Sequence, residues 1–156
     1  MRKGNANDIS DVRAVSDRAT TSYIAKENLD DITATHLRNL TDAAVDAFAN
    51  GVESVGYSVY VATRDDVFVG YVIATHDAPE ICWILVDPNE QGSGVAKALM
   101  IAALDALMEY GARGNVQLSV PVTNERAMAF YRKFGFMVTG PVKDQQLPMI
   151  EMQRAA

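Results

Sequence analysis

Two helices are expected in the first third of the chain, because apolar residues recur there at helical spacing. Asp8 or Ser10 is placed to cap the first helix. The second opens near Asp30 and ends at Gly51, where a glycine can leave the helix in a left-handed conformation. A short first strand is expected within residues 2–6.

From residue 57 the apolar period changes to two, which is typical of strands. Residues 57–62 and 67–74 predict two strands, and their short connection makes them antiparallel neighbours. Residues 80–86 predict the next strand, and residues 115–122 a later one. Pro121 has no N–H to give to a ladder, so this later strand must be unpaired, bulged or diverging from its neighbour there.

The rest of the chain completes an α/β pattern. Helical spacing predicts a helix over about 94–110 and another that begins after Asn124. Residues 136–139 and 149–153 predict a closing antiparallel pair of strands. The fold expected from these elements is a mixed, largely antiparallel central sheet of six or seven strands with helices on both faces.

A glycine loop joins the strand over 80–86 to the helix near 94. Pro88 ends the strand, while Gly92 and Gly94 permit positive φ and let a ligand approach without a Cβ in the way. The unpaired N–H groups and the dipole at the start of the following helix are suited to phosphate. Lys97 stands where a dinucleotide fingerprint would need its third glycine, and the spacing of a P-loop is absent. The loop therefore predicts a phosphate-bearing cofactor of another kind, held by backbone amides.

Composition narrows the class of protein. The 156 residues suit a single domain over 1–156, and the net charge of −6 argues against nucleic acid or an anionic membrane as partner. The single cysteine, Cys82, excludes an internal disulfide framework and a cysteine-rich metal site. No signal peptide or membrane span is recognisable, so we expect a cytoplasmic protein that needs no metal.

Two segments carry a resemblance to a known family. The run Gln91-x-x-Gly94-x-Ala96 resembles motif A of the GNAT N-acetyltransferase superfamily, whose loop binds the pyrophosphate of acetyl-coenzyme A (acetyl-CoA). The run Asn124–Phe136 resembles motif B, N-x-x-A-x-x-x-Y-x-x-x-G-F, with every marker position filled. The resemblance implies transfer of an acetyl group from acetyl-CoA to a primary amine, by direct attack in a ternary complex.

The resemblance also implies where the cofactor lies. The family's fourth and fifth strands run parallel and then splay apart, with the pantetheine arm in the gap. Pro121 is compatible with that gap, although an edge strand would explain it equally well. The residues that the resemblance places at the cofactor are Leu85, Val86, Gln91, Gly92, Ser93, Gly94, Val95, Ala96, Asn124, Ala127 and Tyr131.

The reaction needs a base, an oxyanion donor and an acid. An ammonium must lose its proton before attack, and Glu80 is the candidate base, with His76 or water as alternatives. A backbone N–H near Val86 is the expected oxyanion donor. By carry-over from motif B, Tyr131 is the candidate acid for the leaving thiolate; otherwise it is a core aromatic residue. Cys82 offers an acetyl-cysteine route, although a small buried side chain is the simpler interpretation.

Three functional alternatives stay open. The acceptor is a small-molecule amine, or it is a lysine or N-terminal amine of a protein. A non-catalytic acetyl-CoA-binding sensor or interaction domain would keep the glycine loop without needing the acid and base. A homodimer fits any of these interpretations, since small members of the family often pair.

Overall fold

The computed structural model describes residues 1–143 and 147–155. Seven strands form one sheet in the order β1-β2-β3-β4-β5-β7-β6, within the predicted range of six or seven. The strands are β1 (Arg2–Lys3), β2 (Tyr57–Arg64), β3 (Val67–Thr75), β4 (Glu80–Val86), β5 (Asn115–Pro121), β6 (Met137–Pro141) and β7 (Met149–Ala155). The helices are α1 (Ile9–Glu27), α2 (Asp31–Gly51), α3 (Val95–Glu109) and α4 (Glu125–Lys133).

Helices cover both faces of this sheet, as the sequence predicts. On one face, Val12 of α1 and Phe48 of α2 pack in a buried cluster with Tyr71 of β3. On the other face, Leu99 and Met100 of α3 are fully buried against alternate residues of the same strands. The alternation of side chains along each strand therefore divides the core into two layers.

The sheet opens between β4 and β5, its one parallel pair of neighbours among the described strands. These strands pair at Glu80 and Gln117, and no ladder continues beyond that point. β5 stays paired with β7 as far as Pro121, opposite Met149. Pro121 thus lies where β5 has lost its partner on the β4 side, and a missing N–H costs the ladder nothing there. The expected splay of the fourth and fifth strands is confirmed.

The ends of the N-terminal elements depart from the sequence prediction. The first strand lies within the expected residues 2–6, whereas Ser10 lies inside α1 rather than at its cap. Asp8 is the N-cap residue of α1, but its carboxylate makes no hydrogen bond to the first turn of that helix. It accepts instead from the Arg2 guanidinium at 2.7 and 2.8 Å, because the short β1 brings Arg2 alongside. No described helix combines the length and apolar character that crossing a membrane requires.

A β-bulge in β4 decides which way Glu80 points. Trp83 pairs with Ile73 of β3 and Ile81 pairs with Ala74, which leaves Cys82 as an extra residue. The extra residue reverses the alternation of faces on its N-terminal side. Glu80 consequently lies on the α1–α2 face of the sheet, the same face as Trp83, whereas unbroken alternation would place it on the α3 face.

The closing pair of strands is also present. β6 and β7 are antiparallel, and both are longer than predicted at their C-terminal ends. Part of the loop that was expected to join them, residues 144–146, lies outside the described residues, as does residue 156.

Candidate active site

A cavity of about 1140 Å³ occupies the gap between β4 and β5. Leu85 and Val86 line it from β4, and Val120 and Pro121 line it from β5. Residues of α1 and α2 extend the lining on one side, and residues of α4 extend it on another. Because the strands no longer pair there, the cavity passes between them, and a long ligand could thread the sheet.

The glycine loop opens one end of this cavity at the N-terminus of α3. Gly92 and Gly94 have φ of +80° and +90°, and a Cβ on either would meet no atom within 4 Å. The Gly94 cap offers no side chain, and the Ala98 N–H donates to the Gly94 carbonyl at 3.0 Å. The amides of residues 95–97 therefore have no acceptor within the helix. Residues 92–97 thus end in free backbone N–H donors, and we call this segment the glycine cradle.

Basic side chains surround this cradle. The side-chain carbonyl of Gln91 accepts from Lys26 Nζ of α1 at 3.3 Å and from Arg126 Nη1 of α4 at 2.5 Å. Lys97 and Lys133 also line the cavity, and the first turn of α3 carries no acidic residue. Cations brought to an uncapped helix N-terminus make this end of the cavity favourable for a phosphate group.

Tyr131 lies in the cavity wall on α4. Its ring packs against the core cluster of the α3 face, with Phe130 and Phe136 edge-on at 5.6 and 6.2 Å. No described residue forms a hydrogen bond with its hydroxyl, and none of the described buried side-chain oxygens lacks a partner, so this hydroxyl opens into the cavity. Burial raises the pKa of Tyr131 to about 12, which keeps the phenol protonated and able to donate.

Glu80 lines the same cavity from the α1–α2 face of the sheet. Burial raises the pKa of the Glu80 carboxyl above its ordinary value, and the charge of Glu151 adds to the rise, while Gln117 beside it opposes it. A carboxylate with a raised pKa holds a proton more readily, which suits a general base. Glu80 and Tyr131 thus face the gap from opposite faces of the sheet.

We expect Glu80→Gln to raise the free energy of unfolding at neutral pH. The folded-state pKa of Glu80 lies above its ordinary value, so this carboxyl costs no stability below its ordinary pKa. The cost begins as pH rises above that value and is complete once pH has passed the folded-state pKa. Glutamine removes that charge. Urea unfolding should show the variant more stable than wild type at pH 7, with the difference shrinking toward pH 4. The matched control is Glu53→Gln, at an exposed glutamate. If Glu80→Gln were no more stable than wild type at pH 7, the ionised Glu80 carboxylate would not oppose folding.

The other candidate residues are placed as follows. Ala96 and Ala127 line the cavity, and so does Asn124, whose Oδ1 caps α4 by accepting from the Ala127 N–H at 3.2 Å. Ser93 and Val95 lie outside the lining: the Ser93 hydroxyl donates to the Glu90 carbonyl at 2.5 Å, and Val95 packs against the core.

Of the two alternative residues, His76 for the base and Cys82 for a covalent route, only Cys82 lines the cavity. His76 lies outside the cavity lining, with its Nε2 2.8 Å from Ser58 Oγ and its ring stacked on Tyr110 at 3.9 Å. Cys82 does line the cavity. Burial, followed by the Glu80 charge, raises the pKa of the Cys82 thiol to about 11, so the nucleophilic thiolate is scarce at neutral pH.

Residues from distant parts of the chain complete the lining without having been recognised as site residues from sequence. Lys26 and Arg126 meet at Gln91, and Tyr23 of α1 reaches across to Thr123 with 2.5 Å between the two hydroxyls. Leu40 of α2 belongs to an apolar helix face that predicts only core packing. The helical periodicity signals that such faces exist, but it does not distinguish a cavity wall from a core.

No group of three or more His, Cys, Asp or Glu side chains within residues 1–143 and 147–155 is arranged to hold a metal ion. The arrangement at the gap combines backbone donors and surrounding cations with the Tyr131 phenol and the Glu80 carboxylate. Such a set can hold a phosphate-bearing ligand and move protons at its far end.

Fold and site together define an α/β protein with a glycine loop and an open cavity at a splayed sheet. Residues 24–136 match the model of the acetyltransferase (GNAT) family, and the chain belongs to that family. It is 30% identical over 110 residues to an uncharacterized N-acetyltransferase of Mycobacterium tuberculosis, covering 67% of this chain and 70% of that protein.

Two further likenesses bear on the site. The chain is 37% identical over 98 residues to a mycothiol acetyltransferase of Brachybacterium faecium; the match covers 58% of this chain but 29% of that longer protein. The crystal structure of the PaiA N-acetyltransferase of Thermoplasma acidophilum, in complex with coenzyme A, superposes with a TM-score of 0.78 at 17% identity, over 99% of this chain and 97% of that one. The second likeness is one of fold.

Proposed function

We propose that this protein transfers an acetyl group from acetyl-CoA to a primary amine, by direct attack within a ternary complex. The observation that carries the proposal is the cavity through the β4–β5 gap, which joins the glycine cradle to the Tyr131 hydroxyl and to Glu80. The one sheet includes residues from 2 to 155, so we infer that residues 1–156 act as a single domain.

The cofactor is held mainly by backbone. Its pyrophosphate lies at the free amides of residues 95–97, where Lys26 and Arg126 add positive charge. Gly92 and Gly94 leave room for the phosphates because no Cβ projects there. From the cradle the pantetheine arm enters the gap between Val86 and Val120, so that the thioester lies between the two faces of the sheet.

The β4 backbone supplies the donor for the thioester oxygen. The Asp87 N–H donates to the Val69 carbonyl of β3 at 2.8 Å. Successive N–H groups of a strand point to opposite edges, so the Val86 N–H points away from β3 and into the gap. A fixed donor there stabilises the negative charge that develops on the carbonyl oxygen during attack.

Proton transfer is divided between the two faces. The amine approaches from the α1–α2 face and loses a proton to Glu80, directly or through water. Its nitrogen then forms a bond to the carbonyl carbon, the carbon–sulfur bond breaks, and the Tyr131 hydroxyl gives its proton to the departing thiolate. The second proton that the nitrogen loses on becoming an amide passes through water and restores the Tyr131 hydroxyl. The high pKa of Cys82 favours this direct route over an acetyl-cysteine intermediate.

The test is an assay of thiol release from acetyl-CoA with a panel of primary amines. Initial rates at varied concentrations of both substrates should give intersecting double-reciprocal lines, as a ternary complex requires. Parallel double-reciprocal lines, together with loss of activity in Cys82→Ala, would support the covalent route and contradict direct attack. Binding of acetyl-CoA without acetyl transfer to any amine would favour the sensor or interaction domain instead.

A further inference from the structure

The lining of the cavity as a whole offers few carboxylates to a polycationic acceptor. Among the residues that line the cavity, four are basic and three are acidic: Lys26, Lys97, Arg126 and Lys133 against Glu27, Glu80 and Glu90. One of the acidic residues, Glu90, is already paired with Arg64 at 2.8 Å. A polyamine or an aminoglycoside carries several positive charges and needs several free carboxylates to offset them. After the Glu90 pair, this lining leaves two, Glu27 and Glu80.

Part of the lining on the same face of the sheet as Glu80 is hydrocarbon. We call it the apolar wall; it consists of Ala19, Leu37, Leu40, Ala44 and Trp83, from α1, α2 and β4. These residues line the cavity on the α1–α2 face, where the bulge at Cys82 also places Glu80.

Two of the polar residues beside the apolar wall bond to each other. Thr20 of α1 and Thr41 of α2 line the same side, and their hydroxyl oxygens are 3.0 Å apart in a mutual hydrogen bond. A peptide acceptor would bring amide groups close to its amine, and each would lose hydrogen bonds to water without gaining a partner on this wall. A hydrocarbon body loses nothing there and gains by leaving water.

We propose that the acetyl acceptor is a monocationic primary amine with an apolar body, whose ammonium meets Glu80 while its hydrocarbon part packs against the apolar wall. This inference rests on the proposed function and names the substrate class of that same site. The bulge makes the arrangement possible, because it places the base and the apolar wall on one face of the sheet.

The test uses the full chain with propylamine, butylamine, pentylamine and hexylamine, whose amines have nearly equal pKa values. Each methylene that the wall buries should raise kcat/KM about fourfold. Spermidine, an aminoglycoside and a peptide with a free N-terminus should each be poorer acceptors than hexylamine. A flat series, or a preference for any of those three acceptors, would overturn the inference while leaving acetyl transfer intact.

A matched pair of variants assigns the effect to the wall. Leu40→Asn should reduce the gain per methylene to less than about twofold, with the KM for acetyl-CoA unchanged. Ile32→Asn, on the same helix at a side chain that is 73% exposed and outside the cavity, should keep the full gain. An equal gain in kcat/KM per methylene in both variants would show that the acceptor does not contact the apolar wall. Absence of acetyl transfer to every amine would remove the proposed function itself, and this inference with it.

Discussion

Replacing Tyr131 with phenylalanine is expected to lower kcat by about 100-fold or more, the usual contribution of a positioned general acid. The variant removes one hydroxyl and keeps the ring that packs beside Phe130 and Phe136. Because no described residue bonds to this hydroxyl, its loss leaves no polar group of the described core unpaired. The dissociation constant for acetyl-CoA should stay within about twofold, since the cradle is untouched.

The control for this substitution is Tyr60→Phe. Tyr60 packs against the same core cluster but does not line the cavity, so its variant should keep wild-type turnover. Steady-state kinetics on both variants, with unfolding curves to establish that each is folded, make the comparison. Wild-type kcat in a folded Tyr131→Phe would show that another group protonates the thiolate.

Substituting Gly94 with alanine should weaken coenzyme A binding by at least about tenfold, a loss of about 1.4 kcal/mol. The added Cβ would project into open space at the cradle, where the phosphates would lie. The same substitution strains the backbone, because φ is +90° and alanine rarely adopts that conformation. We therefore expect a loss of about 1 kcal/mol in the free energy of unfolding as well.

Gly111 offers a matched control at the other end of the same helix. It also has a positive φ, +73°, and a Cβ there would meet no atom within 4 Å. Gly111→Ala should cost comparable stability and leave the affinity for coenzyme A unchanged. If calorimetry found equal affinities for the two variants, the cradle would not be the phosphate site.

Local patterns were sufficient to predict the cradle. Pro88, Gly92 and Gly94 act within a few residues of one another, and the structure confirms the strand, the loop and the helix that they separate. Pro121 likewise pointed to a break in pairing, because a missing N–H has one local consequence. Turn chemistry and missing donors act over short distances, so a sequence displays them directly.

Local sequence patterns did not predict the long-range features of the site. Gln91 meets Lys26 and Arg126, which are 65 and 35 residues away in the chain. The bulge at Cys82 depends on a register shift of one residue against β3, which apolar periodicity does not reveal. Leu40 has the spacing of a core residue, and only packing decides whether such a residue fills a core or walls a cavity.

Asp8 illustrates the same limit at a helix end. Its residue type and position predict a cap, and it does occupy the N-cap of α1. Its carboxylate bonds instead to Arg2, with which it forms a two-pronged ion pair. The guanidinium gives this carboxylate two charge-assisted bonds, and the Asn5 N–H donates to it at 2.9 Å, so its oxygens are engaged away from the first turn of α1.

The central claim is that a pyrophosphate docks at the N-terminus of α3 while its thioester arm enters the β4–β5 gap. Isothermal titration of the full chain with acetyl-CoA tests this most directly. We predict saturable binding at one site per chain, and competition by coenzyme A for the same site. A titration without heat or saturation at millimolar acetyl-CoA would contradict the account.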